Sequence, residues 1–188
     1  MTILEFNKSD NDIIRGTNIT IHKGDSPHYY KRDVKNHEEK QRIESNRKTV
    51  FIIHGHNEAK WRELENILRG LELYTIELSQ QVDDGGTIIE KFEKYASQCC
   101  FAFALFSYDD VVAKNTESYL QVRPNVIFEL GWFYAKIGRK NVMILEQETS
   151  NSNIFSDLQG IIRTKYRNDV EEVYKKIVDQ LKRAEIIT

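Results

Sequence analysis

Cysteine is nearly absent. The 188 residues contain only Cys99 and Cys100, and the two are adjacent. Neighbouring cysteines rarely bridge each other, because the disulfide strains the peptide between them. A disulfide-built secreted scaffold is therefore excluded. Within an apolar run the pair reads as two small buried hydrophobes in a reducing, cytoplasmic setting. Long apolar runs are also missing. None approaches the roughly 20 residues that cross a bilayer, so no membrane is expected as a partner. The first residues, Met1-Thr-Ile-Leu-Glu-Phe-Asn-Lys8, carry no basic stretch followed by an apolar one, so no secretory leader is expected. Neither sign of charge dominates. A net charge of -2 provides no basic field to draw the chain onto nucleic acid, and no direct nucleic-acid partner is expected.

What is present divides at about residue 48. Residues 1–48 are polar, with sparse apolar positions, and read as a partly ordered appendage or linker. Ile19-Thr-Ile21 suits one short strand, and Gly24-Asp-Ser-Pro27 a turn. The polar stretch Asp33–Lys48 suits a solvated helix or a linker. From Thr49 the character changes. Thr49–His54, Leu73–Leu78, Cys99–Phe106 and Asn141–Leu145 are apolar, β-rich runs of the kind buried on both faces of a sheet. Between them lie helical patterns. One covers Glu58–Arg69, with Asn57 as N-cap. A second starts at the capping-box sequence Thr87-Ile-Ile-Glu90 and runs to about Ser97. A third follows Pro124, which suits a first helical position, and ends near Gly138. Ser107–Arg123 and Glu146–Asp157 read as loops, Leu158–Arg163 as a short fifth strand, and Val170–Leu181 as a closing amphipathic helix. Alternating strands and helices of this kind imply an α/β fold, an open parallel sheet of about five strands with helices on both faces. Ligands in such folds sit outside the carboxyl ends of the strands.

Glu129 is the only charge between Pro124 and Ala135. A helix apolar nearly all round is expected to be buried. A carboxylate on it must be paired, protonated or placed at the wall of a site. On chemistry alone, a structural ion pair and a catalytic role remain open. His54-Gly55-His56 ends a strand before a helix start, where a glycine lets a phosphate approach backbone N–H groups. It is neither a Walker A loop nor a Gly-x-Gly-x-x-Gly fingerprint. Two histidines alone do not make a metal centre, and no further Cys/His set stands at ligand spacing, so no metal is expected. Asp83-Asp-Gly-Gly-Thr87 is a turn feeding a capped helix, or one wall of a cleft that would include Gly86 and Thr87. Tyr108-Asp109-Asp110 suits a solvated cap as well as acid–base or Mg²⁺ chemistry.

Taken in order, these motifs resemble the bacterial TIR-like domain family, the effector domains of cyclic-oligonucleotide anti-phage defence (CBASS and Pycsar). The motifs are the strand with His54-Gly-His56, Gly85-Gly-Thr-Ile-Ile-Glu-Lys-Phe92, Phe106-Ser-Tyr-Asp-Asp110, Arg123-Pro-Asn-Val-Ile-Phe-Glu-Leu-Gly131 and Ser156-Asp-Leu-Gln-Gly160. The likeness covers about residues 49–165 and makes 49–188 a TIR-like, flavodoxin-like domain. Two positions depart from the family pattern: Gly85-Gly86-Thr87 stands where Gly-Arg-Thr is usual, and Phe155-Ser-Asp157 where Pro-Ser-Asp is usual.

The resemblance implies a TIR-type NAD⁺ hydrolase with Glu129 as its catalytic glutamate, NAD⁺ as substrate and no cofactor. It further implies that His54, Gly55, His56, Tyr108 and Asp109 line the pocket, that Arg123 faces a phosphate and that Trp132 stacks on a ring. Activity in such a family depends on self-association into filaments or oligomers and on a separate sensor or activator. Two other functions fit the same sequence. One is a nucleoside 2-deoxyribosyltransferase-like enzyme. The other is a catalytically silent nucleotide-binding or interaction module.

Overall fold

The computed structural model describes residues 15–16, 19–20, 48–83, 85–114, 117–150, 152–153 and 158–188. The chain separates into two compact units, residues 1–42 and 43–188. In the first, β1 (Arg15–Gly16) pairs antiparallel with β2 (Ile19–Thr20). Ile21, the expected turn at Gly24–Pro27 and most of the expected polar helix or linker Asp33–Lys48 lie outside the described residues.

The larger unit runs through β3 (Thr49–Ile53), α1 (Glu58–Gly70), β4 (Tyr74–Ile76), α2 (Ile88–Ala96) and β5 (Phe101–Phe106). It continues through β6 (Asp110–Lys114), β7 (Glu117–Gln121), α3 (Pro124–Ile137) and β8 (Val142–Gln147). It finishes with β9 (Ser152–Asn153), β10 (Thr164–Tyr166) and α4 (Tyr174–Arg183). The main sheet has five strands in the order β10-β8-β5-β3-β4, and every pairing in it is parallel. Counted along the chain this is the flavodoxin-like order 2-1-3-4-5, which reverses direction between β3 and β5. The open α/β sheet expected from the sequence is therefore the fold.

Alternation within each apolar run decides which layer a side chain joins. Val50 and Ile52 of β3 pack with Phe101, Phe103 and Leu105 of β5 against Trp61, Leu64 and Leu68 of α1 and Ile177 and Leu181 of α4. Phe51 and Ile53 face the other way, with Ala102 and Ala104, toward Phe92 of α2 and Val126, Leu130 and Phe133 of α3. The two alanines leave room for three rings. Phe51, Phe92 and Phe133 meet pairwise with centroids 5.1 to 5.9 Å apart. Each such buried ring contributes about 1.5–3 kcal/mol of apolar transfer. The helix starts follow local chemistry. Asn57 Oδ1 accepts from the Lys60 N–H, and Thr87 and Glu90 close a reciprocal capping box. Cys99 is buried, Cys100 half-buried, and both are free thiols.

The closing helix opens as the 3₁₀ turn Val170–Val173 before α4, the expected loop Glu146–Asp157 carries the end of β8 and all of β9, and four further expectations need correction. The Ser107–Arg123 segment is not simply a loop: β6 and β7 form an antiparallel hairpin, with Val111 opposite Leu120 and Val112 opposite Tyr119. β-branched and aromatic cross-strand pairs stabilise it. Leu158–Arg163 is turn rather than strand. The Arg163 guanidinium folds back onto the Leu158 and Ile161 carbonyls, and the strand starts only at Thr164, opposite Leu145. β4 stops at Ile76, because Glu77 caps the 3₁₀ turn Leu78–Gln80. Finally, α3 is not buried all round. Val126, Leu130 and Phe133 are buried, but Phe128 is 54% exposed. One face meets the sheet, and Phe128 stands exposed away from it.

Candidate functional site

The carboxyl ends of β3 and β4 meet α3 over a cleft of about 290 Å³. It lies where parallel strands end and the strand order reverses, the usual place for a ligand in an open α/β sheet. Ile52, Leu78 and Ile88 supply its apolar surface. Glu77, Asp83 and Glu129 supply carboxylates, His54, Lys91 and Arg123 basic groups, and Ser79 and Asn125 neutral polar groups.

β3 delivers His54 to this cleft, and three contacts hold its ring. Nδ1 lies 2.7 Å from the Gly55 carbonyl, Nε2 lies 2.9 Å from Glu77 Oε1, and the ring stacks on Trp61 at 5.3 Å. Glu77 is 4% exposed. It accepts in addition from the Ser79 N–H at 2.8 Å, the Ser79 hydroxyl at 2.5 Å and the Gln80 N–H at 3.1 Å. Burial pushes its carboxyl up, but the hydrogen bonds from His54 and Ser79 outweigh burial and bring it to about 2.

Glu129 behaves oppositely. It stands on the second turn of α3, whose first residue is Pro124. Among the described residues its carboxylate has no hydrogen-bond or ion-pair partner. Burial pushes it up to about 7; the His54 charge pulls it down and the Glu77 charge pushes it up. Two carboxylates in one cleft thus sit about five pH units apart, the separation that assigns different roles to chemically equal groups.

Around this centre the loops are tied down. Asp109 Oδ2 accepts from the His56 N–H at 2.7 Å. A Cβ on Gly55 would stand 3.0 Å from both Asp109 oxygens, so glycine at 55 lets the carboxylate reach the backbone without giving way. The Arg123 guanidinium donates to the His56 ring. Lys91 Nζ lies 2.6 Å from Asp83 Oδ1. Among the described residues no three His, Cys, Asp or Glu side chains converge as a metal site.

Of the residues singled out from sequence, His54, Gly55, Arg123 and Glu129 line the cleft together, and His56 contacts Arg123. The rest are placed elsewhere. Asp109 braces the Gly55–His56 backbone. Thr87 spends its hydroxyl and N–H on the α2 cap, and Gly86 precedes it outside the lining. Buried Tyr108 donates its hydroxyl to Glu146, whose other oxygen accepts from Arg163 Nε at 2.8 Å. Trp132 packs edge-on against Phe92 and Phe133. Asp83, at the start of the turn read as one wall of a cleft, does line it, whereas sequence reasoning missed Glu77, Ser79, Lys91 and Asn125. A signal existed for Glu77, the one charge in the β-rich run Leu73–Leu78 and close to its carboxyl end.

Comparison with known proteins places this arrangement. The chain is 33% identical over 138 residues to "Protein tirC" of Dictyostelium discoideum, covering 68% of this chain and 69% of that protein. It is 35% identical over 117 residues to the uncharacterised protein YuaY of Escherichia coli strain K12, covering 61% of this chain and 38% of YuaY. It is 37% identical over 79 residues to the Pycsar effector protein PaPycTIR of Pseudomonas aeruginosa, covering 42% of this chain and 26% of that effector. The chain thus spans well under two thirds of the length of the last two. The family model described as "CAP12/Pycsar effector protein, TIR domain" matches residues 49–168, from the first strand of the main sheet to just past its last, and the chain belongs to that family.

Proposed function

We propose that the chain is a TIR-type NAD⁺ hydrolase, an effector of anti-phage defence, whose cleft breaks the nicotinamide–ribose N-glycosidic bond with Glu129 as the catalytic carboxylate. One observation carries this reading above the others. Glu129 sits in the switch-point cleft without a hydrogen-bond partner among the described residues, and burial holds it at about 7. A carboxylate serving as a structural ion pair is pulled down, as Glu77 is. A carboxylate reserved for substrate is left unpaired and poised near working pH. Family membership supports the effector role.

In this mechanism the ionised Glu129 faces the ribose of bound NAD⁺. Its charge stabilises the oxocarbenium-like state that develops as the C–N bond breaks, the role carboxylates play in glycoside hydrolysis. The bonding pair leaves with nicotinamide, which departs neutral. Water then adds to the ribosyl carbon and loses a proton, so that NAD⁺ and water become ADP-ribose, nicotinamide and H⁺. A cationic nicotinamide ring entering the cleft favours the ionised form of Glu129, so substrate itself helps to charge its catalyst. Arg123 supplies positive charge for a phosphate. Self-association belongs to the same reading, supported by the uncovered apolar side chains Ile88, Ile89 and Phe128 on α2 and α3. Activation by a separate sensor or activator completes it.

The test is nicotinamide release from NAD⁺ at high protein concentration with a crowding agent, comparing wild type with Glu129→Gln. Release by the wild type and loss of about a hundred- to a thousandfold in the variant is the expected result. Base exchange between deoxynucleosides would assign a deoxyribosyltransferase instead. NAD⁺ binding by assembled protein without turnover would make the chain a silent nucleotide-binding module.

A further inference from the structure

Lys91 has no part in bond cleavage, yet it is built into the cleft. It projects from α2 three residues after Ile88, on the same helical face, and both side chains line the cavity with Arg123 and Glu129. Only 12% of the Lys91 side chain is exposed, whereas Asp83, its partner at 2.6 Å, is 86% exposed. The pair is thus lopsided. An ammonium sheltered in a ligand cavity is neutralised by a carboxylate that stands mostly in water, so Asp83 is readily rehydrated once another anion takes its place. Arg123, the other fixed cation of the cleft, has no carboxylate partner among the described residues. The cavity therefore holds two long basic side chains, Arg123 with no carboxylate partner among the described residues and Lys91 paired to the exposed Asp83, beside the carboxylates of Glu77 and Glu129. A ligand complementary to that set is anionic where it meets Lys91 and Arg123 and cationic where it meets Glu129.

We propose that Lys91 binds the diphosphate of a dinucleotide substrate, and that Asp83 is an internal competitor that occupies the ammonium until the diphosphate displaces it. The proposal rests on the NAD⁺-cleaving reading of the same cleft and adds a specificity rule to it. Substrates with the same N-glycosidic bond but no diphosphate gain nothing from Lys91, and loss of Asp83 improves binding.

The experiment compares wild type, Lys91→Gln, Lys91→Arg and Asp83→Asn on NAD⁺ and on nicotinamide riboside, which has the same scissile bond and no diphosphate. ADP-ribose binding is measured in parallel by calorimetry. Loss of one charge-assisted contact predicts a rise in KM for NAD⁺ of roughly tenfold in Lys91→Gln, with kcat within about twofold and nicotinamide riboside unaffected. Lys91→Arg restores KM, and Asp83→Asn lowers it severalfold. Equal losses on both substrates, an unchanged KM in Lys91→Gln, or a raised KM in Asp83→Asn would each overturn the proposal. ADP-ribose binding separates the two readings. Lys91-dependent binding without nicotinamide release would sink the hydrolase and keep the diphosphate site. A wild type that binds no ADP-ribose would overturn the site itself.

Discussion

His54 and Glu77 stand 23 residues apart in the chain and 2.9 Å apart in the fold. They leave the carboxyl ends of two adjacent parallel strands, β3 and β4, and pair at the wall of the cleft that holds Glu129. The pair sets the electrostatics of the site. Burial keeps Glu129 at about 7, His54 pulls it down and the Glu77 charge pushes it up.

The pH dependence of turnover follows from that value. Catalysis requires ionised Glu129, so kcat/KM should climb with pH up to about 7 and level off above it. Below that point it should fall about tenfold per unit. A pH–rate profile of NAD⁺ cleavage checks this, and a profile flat between pH 5 and 8 would remove Glu129 from the rate equation. Stability runs the other way. A carboxyl raised in the folded state contributes stability below its unfolded value, near 4.5, and loses it as pH climbs through about 7. Glu129→Gln should therefore raise Tm relative to wild type, more at pH 8 than at pH 5, in a thermal-melt series.

Glu77 has the opposite linkage. Its carboxyl falls from 4.5 to about 2 on folding, so its contribution is present above 4.5 and disappears as pH drops through about 2. Glu77→Ala strands the His54 ring and the Ser79 and Gln80 donors, and should cost about 3 kcal/mol at pH 7. Urea unfolding measures the loss, and the gap between variant and wild type should narrow steadily below pH 4.

Gly55→Ala forces a methyl to 3.0 Å from both oxygens of Asp109. Something must move, at a cost of about 1–3 kcal/mol. Asp109→Ala removes the obstacle, so the double variant should lose clearly less stability than the sum of the single ones. Additivity in that double-mutant cycle would mean that the two residues do not press on each other.

Tyr108→Phe deletes the hydroxyl that donates to Glu146 in the buried Tyr108–Glu146–Arg163 cluster. It should destabilise the protein by about 1–2 kcal/mol and leave the KM for NAD⁺ unchanged, because Tyr108 is outside the cleft lining. A KM change without a stability change would return Tyr108 to the site.

The legible features were those written in neighbouring residues. Thr87 and Glu90 are three positions apart, and their capping box formed as read. The four apolar runs became four parallel strands of the main sheet; the three inner ones are buried on both faces, whereas β4 is an edge strand with Tyr74 exposed. Glu129 was visible as the one charge in an apolar helix. The errors arose where a run looked self-sufficient. Ile161-Ile162 resembled a strand, yet Ile162 is 91% exposed, and the turn is held by Arg163. The hairpin β6–β7 was hidden because its stability lies in cross-strand pairs rather than in a local period.

By itself the sequence determined the α/β alternation, the starts of α1, α2 and α3, and Glu129 as the singular carboxylate. All depend on spacings of two to four residues, which set side-chain direction and capping before any long-range contact forms. Only the tertiary structure decided that Glu77 would lock His54, that Lys91 would shelter in the cleft beside Arg123, and that Tyr108 would turn away toward Glu146 and Arg163. Those outcomes depend on strand order and burial. Adjacent strands bring distant charges within hydrogen-bond range, and exclusion of water then raises one carboxyl while hydrogen bonds lower another.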